Sequence, residues 1–301
     1  MSFVRCEEPV CTDDNAGVDL LIEPRTRDIG AFVVSRLLPT GRRRMVGPFI
    51  FFDEMGPATM KSGEVMSVRP HPHINLATVS YLFEGSIMHR DSTGAAQVIE
   101  PGAINWMVAG RGIVHSERTP ADEVFSERRL HGIQLWVALP TEHEETEPMF
   151  HHHPKASLPA WERDGARVRL LLGSALGERS PVPVFSEMLY LDVELQAGAR
   201  WQLPEAAERA VYMVSGKATI GGSAVTSKSM AVLSTGAAEL VASEDSRLMV
   251  IGGEPMGERH IWWNFVSSRK ERIEEAKTQW RERRFPLVPG DQRERVELPG
   301  S

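Results

Sequence analysis

The sequence predicts an all-β protein of two sandwich domains, closed by one C-terminal helix. Three observations lead there. The chain has 301 residues, more than one core of this kind usually fills, which points to two domains. Short apolar runs rich in β-branched and aromatic residues recur along it, separated by Gly, Pro, Asn and Asp, the pattern of strands in a sandwich or barrel. Only one stretch, near the end, carries a helical period.

Taken in order, residues 1–25 show no clear period and read as an N-terminal arm. Phe32-Val33-Val34, Phe49-Ile50-Phe51-Phe52 and Ala77-Thr78-Val79-Ser80-Tyr81-Leu82-Phe83 supply strands of a first domain over 26–140, which closes on Gly132-Ile133-Gln134-Leu135-Trp136-Val137. Residues 141–164 combine Glu142, Glu144, Glu145 and Glu147 with Pro148, Pro154 and Pro159, the composition of a linker. Strands resume at Val168-Arg169-Leu170-Leu171-Leu172 and define a second domain over 165–260. An internal echo joins the halves. Tyr81-Leu82-Phe83-Glu84-Gly85 and Tyr212-Met213-Val214-Ser215-Gly216 each run from an aromatic residue to a glycine turn. The tail, 261–301, holds the helix. Ser268 followed by Glu271 reads as a capping box, Ile273, Ala276 and Trp280 share one face, and Pro286 ends the run.

Composition excludes several classes of function. A net charge of −7 disfavours a duplex-binding surface. Arg42-Arg43-Arg44 is a local exception, read as a solvated turn or an internal carboxylate clamp. The two cysteines, Cys6 and Cys11, make no disulfide framework and fit a reducing compartment. The opening residues include Arg5, Glu7, Glu8, Asp13 and Asp14 and lack the apolar run of a signal peptide. No stretch approaches the length of a membrane span. The expectation is a cytoplasmic protein with no membrane or direct nucleic-acid partner.

The chemistry concentrates in two short motifs. In Pro70-His71-Pro72-His73 the histidines stand two apart, so an extended strand projects both imidazoles to one face. The prolines favour that extended geometry. His115-Ser116-Glu117 repeats the spacing just after the Gly110-Arg111-Gly112 turn, 42 residues beyond His73. Three imidazoles and one carboxylate leave open positions on a six-coordinate ion. That donor set suits Fe(II), with Mn, Co, Ni or Cu as substitutes and Zn as the alternative. His89 and His131 are read as pocket-rim or locally hydrogen-bonded residues, and His151-His152-His153 as a triplet within the linker. No histidine or cysteine lies between Pro154 and Arg259, so the second domain cannot build a centre of the same kind.

These residues carry a family resemblance. Pro70 to His73 leading into Thr78–Gly85 and His89-Arg90-Asp91-Ser92 resembles the first signature of the pirin family. Ala109-Gly110-Arg111-Gly112-Ile113-Val114-His115-Ser116-Glu117 is similar to the second, and Leu130–Val137 to a third, shared strand. The match covers most of residues 30–140; the second domain matches by layout. Members of that family are bicupins, so the resemblance implies two double-stranded β-helix (jelly-roll) domains. It also implies an iron site made by His71, His73, His115 and Glu117. For some members the activity is a dioxygenase that opens the central ring of quercetin and related flavonols with O2; others are described as nuclear co-regulators responsive to iron redox state. One departure bears on substrate. Many pirins carry a glutamate in a Gly-Phe-Glu-Thr-Val run where this chain has Asn75-Leu76-Ala77-Thr78-Val79.

Three functions follow as expectations. The first is a metal-dependent dioxygenase for a small aromatic substrate and O2, with Glu117 as general base; substrate-binding residues are not assigned. The second is a non-catalytic redox-sensing regulator that binds a protein partner. The third is a metal-dependent cupin isomerase.

Overall fold

The computed structural model describes residues 9–13, 17–28 and 33–300. Arg5, Cys6, Glu7, Glu8, Asp14, Gly30 and Phe32 lie outside the described residues. Each domain is a sandwich of one large and one four-stranded sheet, with antiparallel pairing throughout the ladders. In the first, the large sheet runs Met149–His153, Ile104–Val108, Leu76–Glu84, Arg128–Ala138, Phe49–Met60, Val33–Leu38, Arg25–Asp28. Opposite it stand Ser67–His73, Ile113–Arg118, Ile87–Asp91 and Ala96–Ile99. In the second, Met230–Leu233, Glu208–Ser215, Ser246–Gly253, Met188–Leu195 and Ala166–Ala175 are neighbours in the large sheet, facing Arg200–Gln202, Glu239–Ala242, Lys217–Ile220 and Ser223–Thr226. The predicted all-β, two-domain architecture is the one observed.

The internal echo has a structural basis. Leu76–Glu84 and Glu208–Ser215 occupy the same place in their sheets, and both end on a glycine with positive φ, Gly85 at 80° and Gly216 at 87°. Along Leu76–Glu84 the two-residue period sends Ala77, Val79 and Tyr81 to one face, where they join a core shared by the two large sheets. Phe52, Trp106 and Leu135 come from the first domain; Leu172, Tyr190, Tyr212 and Met249 come from the second. Burial of that continuous apolar surface, worth roughly 25 cal/mol per Å², holds the domains as one body. At its margin the Tyr81 hydroxyl donates to Asp192 Oδ2 at 2.6 Å, and Arg247 grips the same carboxylate with two bonds while lying over the Phe83 ring.

Three local expectations change. The segment read as an arm contains the strand Val18–Glu23, with Val18, Leu20 and Ile22 buried, and it pairs with Met230–Leu233 of the second domain. Its period of two is confined to six residues, too few to stand out from the sequence alone. The segment read as a linker contains the strand Met149–His153, which completes the edge of the first sheet beside Ile104–Val108; the flanking glutamates and prolines mask it. The helix spans Lys270–Arg281 with Ile273, Ala276 and Trp280 buried as the period requires, but no side chain caps its start. The Ser268 hydroxyl instead donates to Glu144 Oε2 at 2.8 Å. The helix ends at Arg281, before a left-handed Arg283, and so stops short of Pro286. Of the three consecutive arginines, Arg42 pairs with Asp13 and Arg43 with Glu208 at 2.8 Å, the clamp reading.

Helix and tail return to the first domain. Phe265 bridges to Ile74, and Trp280, Phe285, Val288 and Leu298 pack with Val114 on the outer face of the four-stranded sheet. None of the helices among the described residues is long and apolar enough to cross a membrane.

Candidate metal centre

Ser67–His73 and Ile113–Arg118 are adjacent antiparallel strands whose register sets His115 directly across from His71. The alternation of an extended strand puts His73 on the same inward face as His71. The ring centroids lie 4.3 Å apart for His71 and His115, 5.0 Å for His73 and His115, and 5.1 Å for His71 and His73. Each residue brings one ring nitrogen within 4.8 Å of the others, and all three are buried. The glycine turn before His115 is required by space: a Cβ on Gly110, at φ 49°, would collide with the Thr146 carbonyl.

Backbone carbonyls set the tautomers. His71 Nδ1 lies 2.8 Å from the Arg69 carbonyl oxygen and His73 Nδ1 lies 3.0 Å from that of Asn264. Each Nδ1–H donates there, which leaves Nε2 to carry a lone pair. His73 Nε2 and His115 Nε2 face each other at 3.1 Å, and His115 Nδ1 is buried with no partner. Burial holds the rings neutral: it lowers the His71 pKa to about 4 and those of His73 and His115 well below the ordinary imidazole value. Three buried, uncharged imidazoles with converging nitrogens are able to hold a divalent ion, and the donor set fits a borderline one.

Glu117 lines the same cavity as His71 and His73, outside the three-histidine group. Ser80 Oγ donates to its Oε1 at 3.4 Å and the Gln134 side chain bonds it as well. Burial raises its pKa. The cavity, about 70 Å³, opens past an apolar wall that includes Phe51, Met55, Met66, Ile87 and Trp136. Phe51 stacks on Trp136 at 4.2 Å, Trp136 meets His73 edge-on at 5.1 Å, and Arg36 covers the outer face of Phe51 while gripping Asp53 with two bonds.

Of the remaining histidines, His89 borders the group, its ring centroid 5.3 Å from that of His115, but its bonds lie elsewhere. His89 bonds Asp91 Oδ2 at 2.9 Å and stacks on Phe150; His131 bonds Glu54 Oε1 at 3.0 Å. His152 Nδ1 shares a hydrogen bond with Asn105 at 2.7 Å on the sheet edge. Ala77 is fully buried in the core shared by the domains, on the strand face opposite Ser80. A residue at that position points away from the cavity, so the departure from the family's Gly-Phe-Glu-Thr-Val run removes no carboxylate from it. Sequence reasoning missed Asn264, Ser80, Gln134 and the Phe51–Trp136 stack. Ser80 and Gln134 carry a recoverable signal, since each lies at the inward phase of a strand already recognised. The Asn264 contact, 191 residues from His73, has none.

Comparison with known proteins bears on the family and the fold. Residues 31–137 match the Pirin family model and residues 190–286 the Pirin C-terminal cupin domain model. A pirin-like protein of Caulobacter vibrioides is 48% identical over 289 residues, covering 94% of this chain and 99% of that one. The crystal structure of quercetin 2,3-dioxygenase from Acinetobacter baumannii superposes with a TM-score of 0.86 at 35% identity, over 93% of this chain and 95% of that one. A bacterial pirin from Escherichia coli in complex with nickel(II) shares the fold, with a TM-score of 0.60 at 20% identity over 77% of this chain and 96% of that one.

Proposed function

Because the chain belongs to the pirin family, we propose that it is a metal-dependent dioxygenase that opens a flavonol-type, quercetin-like substrate with O2. One observation carries the reading: three buried neutral imidazoles converge at the base of an apolar, aromatic-walled cavity that also holds a carboxylate. The quercetin 2,3-dioxygenase named above supports the substrate class.

In this reading His71, His73 and His115 hold the ion, with Glu117 as the fourth ligand or as a base beside it. Fe(II) is the proposed metal, with nickel the first substitute to try. When bound, the ion supplies a Lewis acid that polarises substrate oxygens and a centre for O2 chemistry. The protein does the rest. Phe51 and Trp136, stacked on each other, wall the cavity together with Met55, Met66 and Ile87, an apolar lining that suits an aromatic ring and excludes water around it. Glu117 takes the proton of the substrate hydroxyl on a carboxylate oxygen; its raised pKa makes it a stronger base than an exposed carboxylate. Ser80 and Gln134 hold that carboxylate in place.

The test is anaerobic loading with Fe(II), then oxygen uptake and flavonol absorbance on a small flavonol panel, with nickel-loaded and metal-free protein alongside. Metal-dependent oxygen uptake with one or more flavonols supports the reading. Loaded protein that binds no flavonol and consumes no oxygen with any of them overturns it.

A further inference from the structure

We propose that the cleft between the C-terminal tail and the outer face of the histidine-bearing sheet is a second ligand site, which takes a small carboxylate with an apolar body. The site is separate from the metal cavity. Where His71 and His73 point inward, Pro70 points outward beneath the tail; Val114 does the same on the next strand. The tail crosses this face under several ties. Val296 N–H donates to the Pro70 carbonyl at 2.8 Å, Trp280 Nε1–H to the Val296 carbonyl at 3.0 Å, and Arg118 Nη2 to Asp291 Oδ1 at 2.9 Å. Between tail and sheet these ties leave a cavity of about 350 Å³, within the range of small-molecule pockets.

Its lining divides by chemistry. Val114, Trp280 and Phe285 make an apolar floor, and Leu287 at the mouth is 63% exposed, one of the few large apolar side chains left in water. Arg69, Arg283 and Arg293 stand on the rim. Two neighbouring arginines are matched: Arg295 of the tail with Glu297, and Arg118 of the sheet with Asp291 and Glu294. The three rim arginines form no ion pair among the described residues. Arg295, Asp291, Glu294 and Glu297 also line the cleft, so four guanidiniums face three carboxylates. Glu297 is held below the usual range by its hydrogen bond from Arg295, and by the charges of Arg295, Arg283 and Arg69. In a chain of net charge −7 such an excess is local. A guanidinium presents a planar fork that matches a carboxylate, and the apolar floor favours an aromatic or aliphatic body over a bare inorganic anion.

Calorimetric titration of the full chain with 1-naphthoate, 1-naphthalenemethanol and inorganic phosphate tests the assignment. One saturable site for 1-naphthoate is expected, with the neutral alcohol and phosphate each binding at least tenfold more weakly. The combined variant Arg283→Gln, Arg293→Gln should lose at least tenfold in naphthoate affinity and keep its metal content. Leu287→Asp, a change at an exposed position, should weaken naphthoate by a similar factor through repulsion. Absence of saturable naphthoate binding, equal binding by the arginine variant, or phosphate binding as tight as naphthoate would each overturn the proposal.

Discussion

The four-stranded sheets of the two sandwiches share one order: the first strand in sequence lies beside the fourth, then come the second and third. Their inward positions differ. Where Ser67–His73 turns His71 and His73 inward, the matching strand Arg200–Gln202 buries Trp201. Where Ile113–Arg118 places His115 and Glu117, Glu239–Ala242 buries Leu240 and Ala242; His89 and Asp91 are answered by Ala218 and Ile220. The second sandwich is packed with apolar side chains throughout and stabilised by their burial, at about 1.5–3 kcal/mol for each large one. The first gives up part of that stabilisation to keep polar nitrogens dry and a cavity open. One frame thus serves as a filled support or as a site, depending on five or six inward residues.

Four experiments break or sharpen this contrast, the largest effect first. His73→Ala or His115→Ala should reduce bound metal from about one ion per chain to almost none by elemental analysis. Trp201→Ala should leave metal content intact and lower stability by about 3–5 kcal/mol in denaturant melts. Metal lost in the second variant, or kept in the first pair, would dissolve the distinction between the sandwiches. Next, Glu117→Gln should retain most of the metal while oxygen uptake with a flavonol falls by roughly 10²–10⁴-fold; parallel loss of both would make Glu117 a ligand before a base.

The third experiment uses pH. Burial keeps the three histidines neutral in the folded protein, whereas the unfolded chain takes up protons near the ordinary value of 6.5. The unfolded state therefore binds more protons below that value, and stability rises with pH across the window. Metal-free protein should lose melting temperature as the pH falls from 6.5 towards about 4, where His71 also protonates. His73→Ala should flatten that slope, while Trp201→Ala shifts the whole curve down without changing its shape. The smallest effect belongs to Arg200→Ala, on the outer side of the second sandwich. Its pair with Glu239 is largely exposed, so the loss should stay under about 1 kcal/mol and shrink in salt.

Much of this was legible in the sequence because it is local. The two-residue spacing of His71 with His73 and of His115 with Glu117, the helix face of Ile273, Ala276 and Trp280, and the Tyr-to-Gly echo are periods within a few residues. What escaped depends on partners far along the chain. Ser268 fits a capping box by spacing, but Glu144 claims its hydroxyl. Val18–Glu23 is too short to announce itself, and its partner Met230–Leu233 lies more than 200 positions on. Position 77 draws notice as a family departure, yet only the pleat reveals that it faces the neighbouring domain. Spacing identifies which side chains can meet; only the folded chain shows what holds them.

The crossing of Val18–Glu23 into the second sheet has a practical consequence. Cleaving the backbone between His153 and Ala166 would leave neither product whole. The leading fragment would keep Val18–Glu23 with no sheet to receive it, and would lack the Asn264 carbonyl that orients His73. The trailing fragment would expose a bare ladder at Met230–Leu233, an invitation to pair with strangers. Only when mixed would the two pieces be expected to recover ion binding.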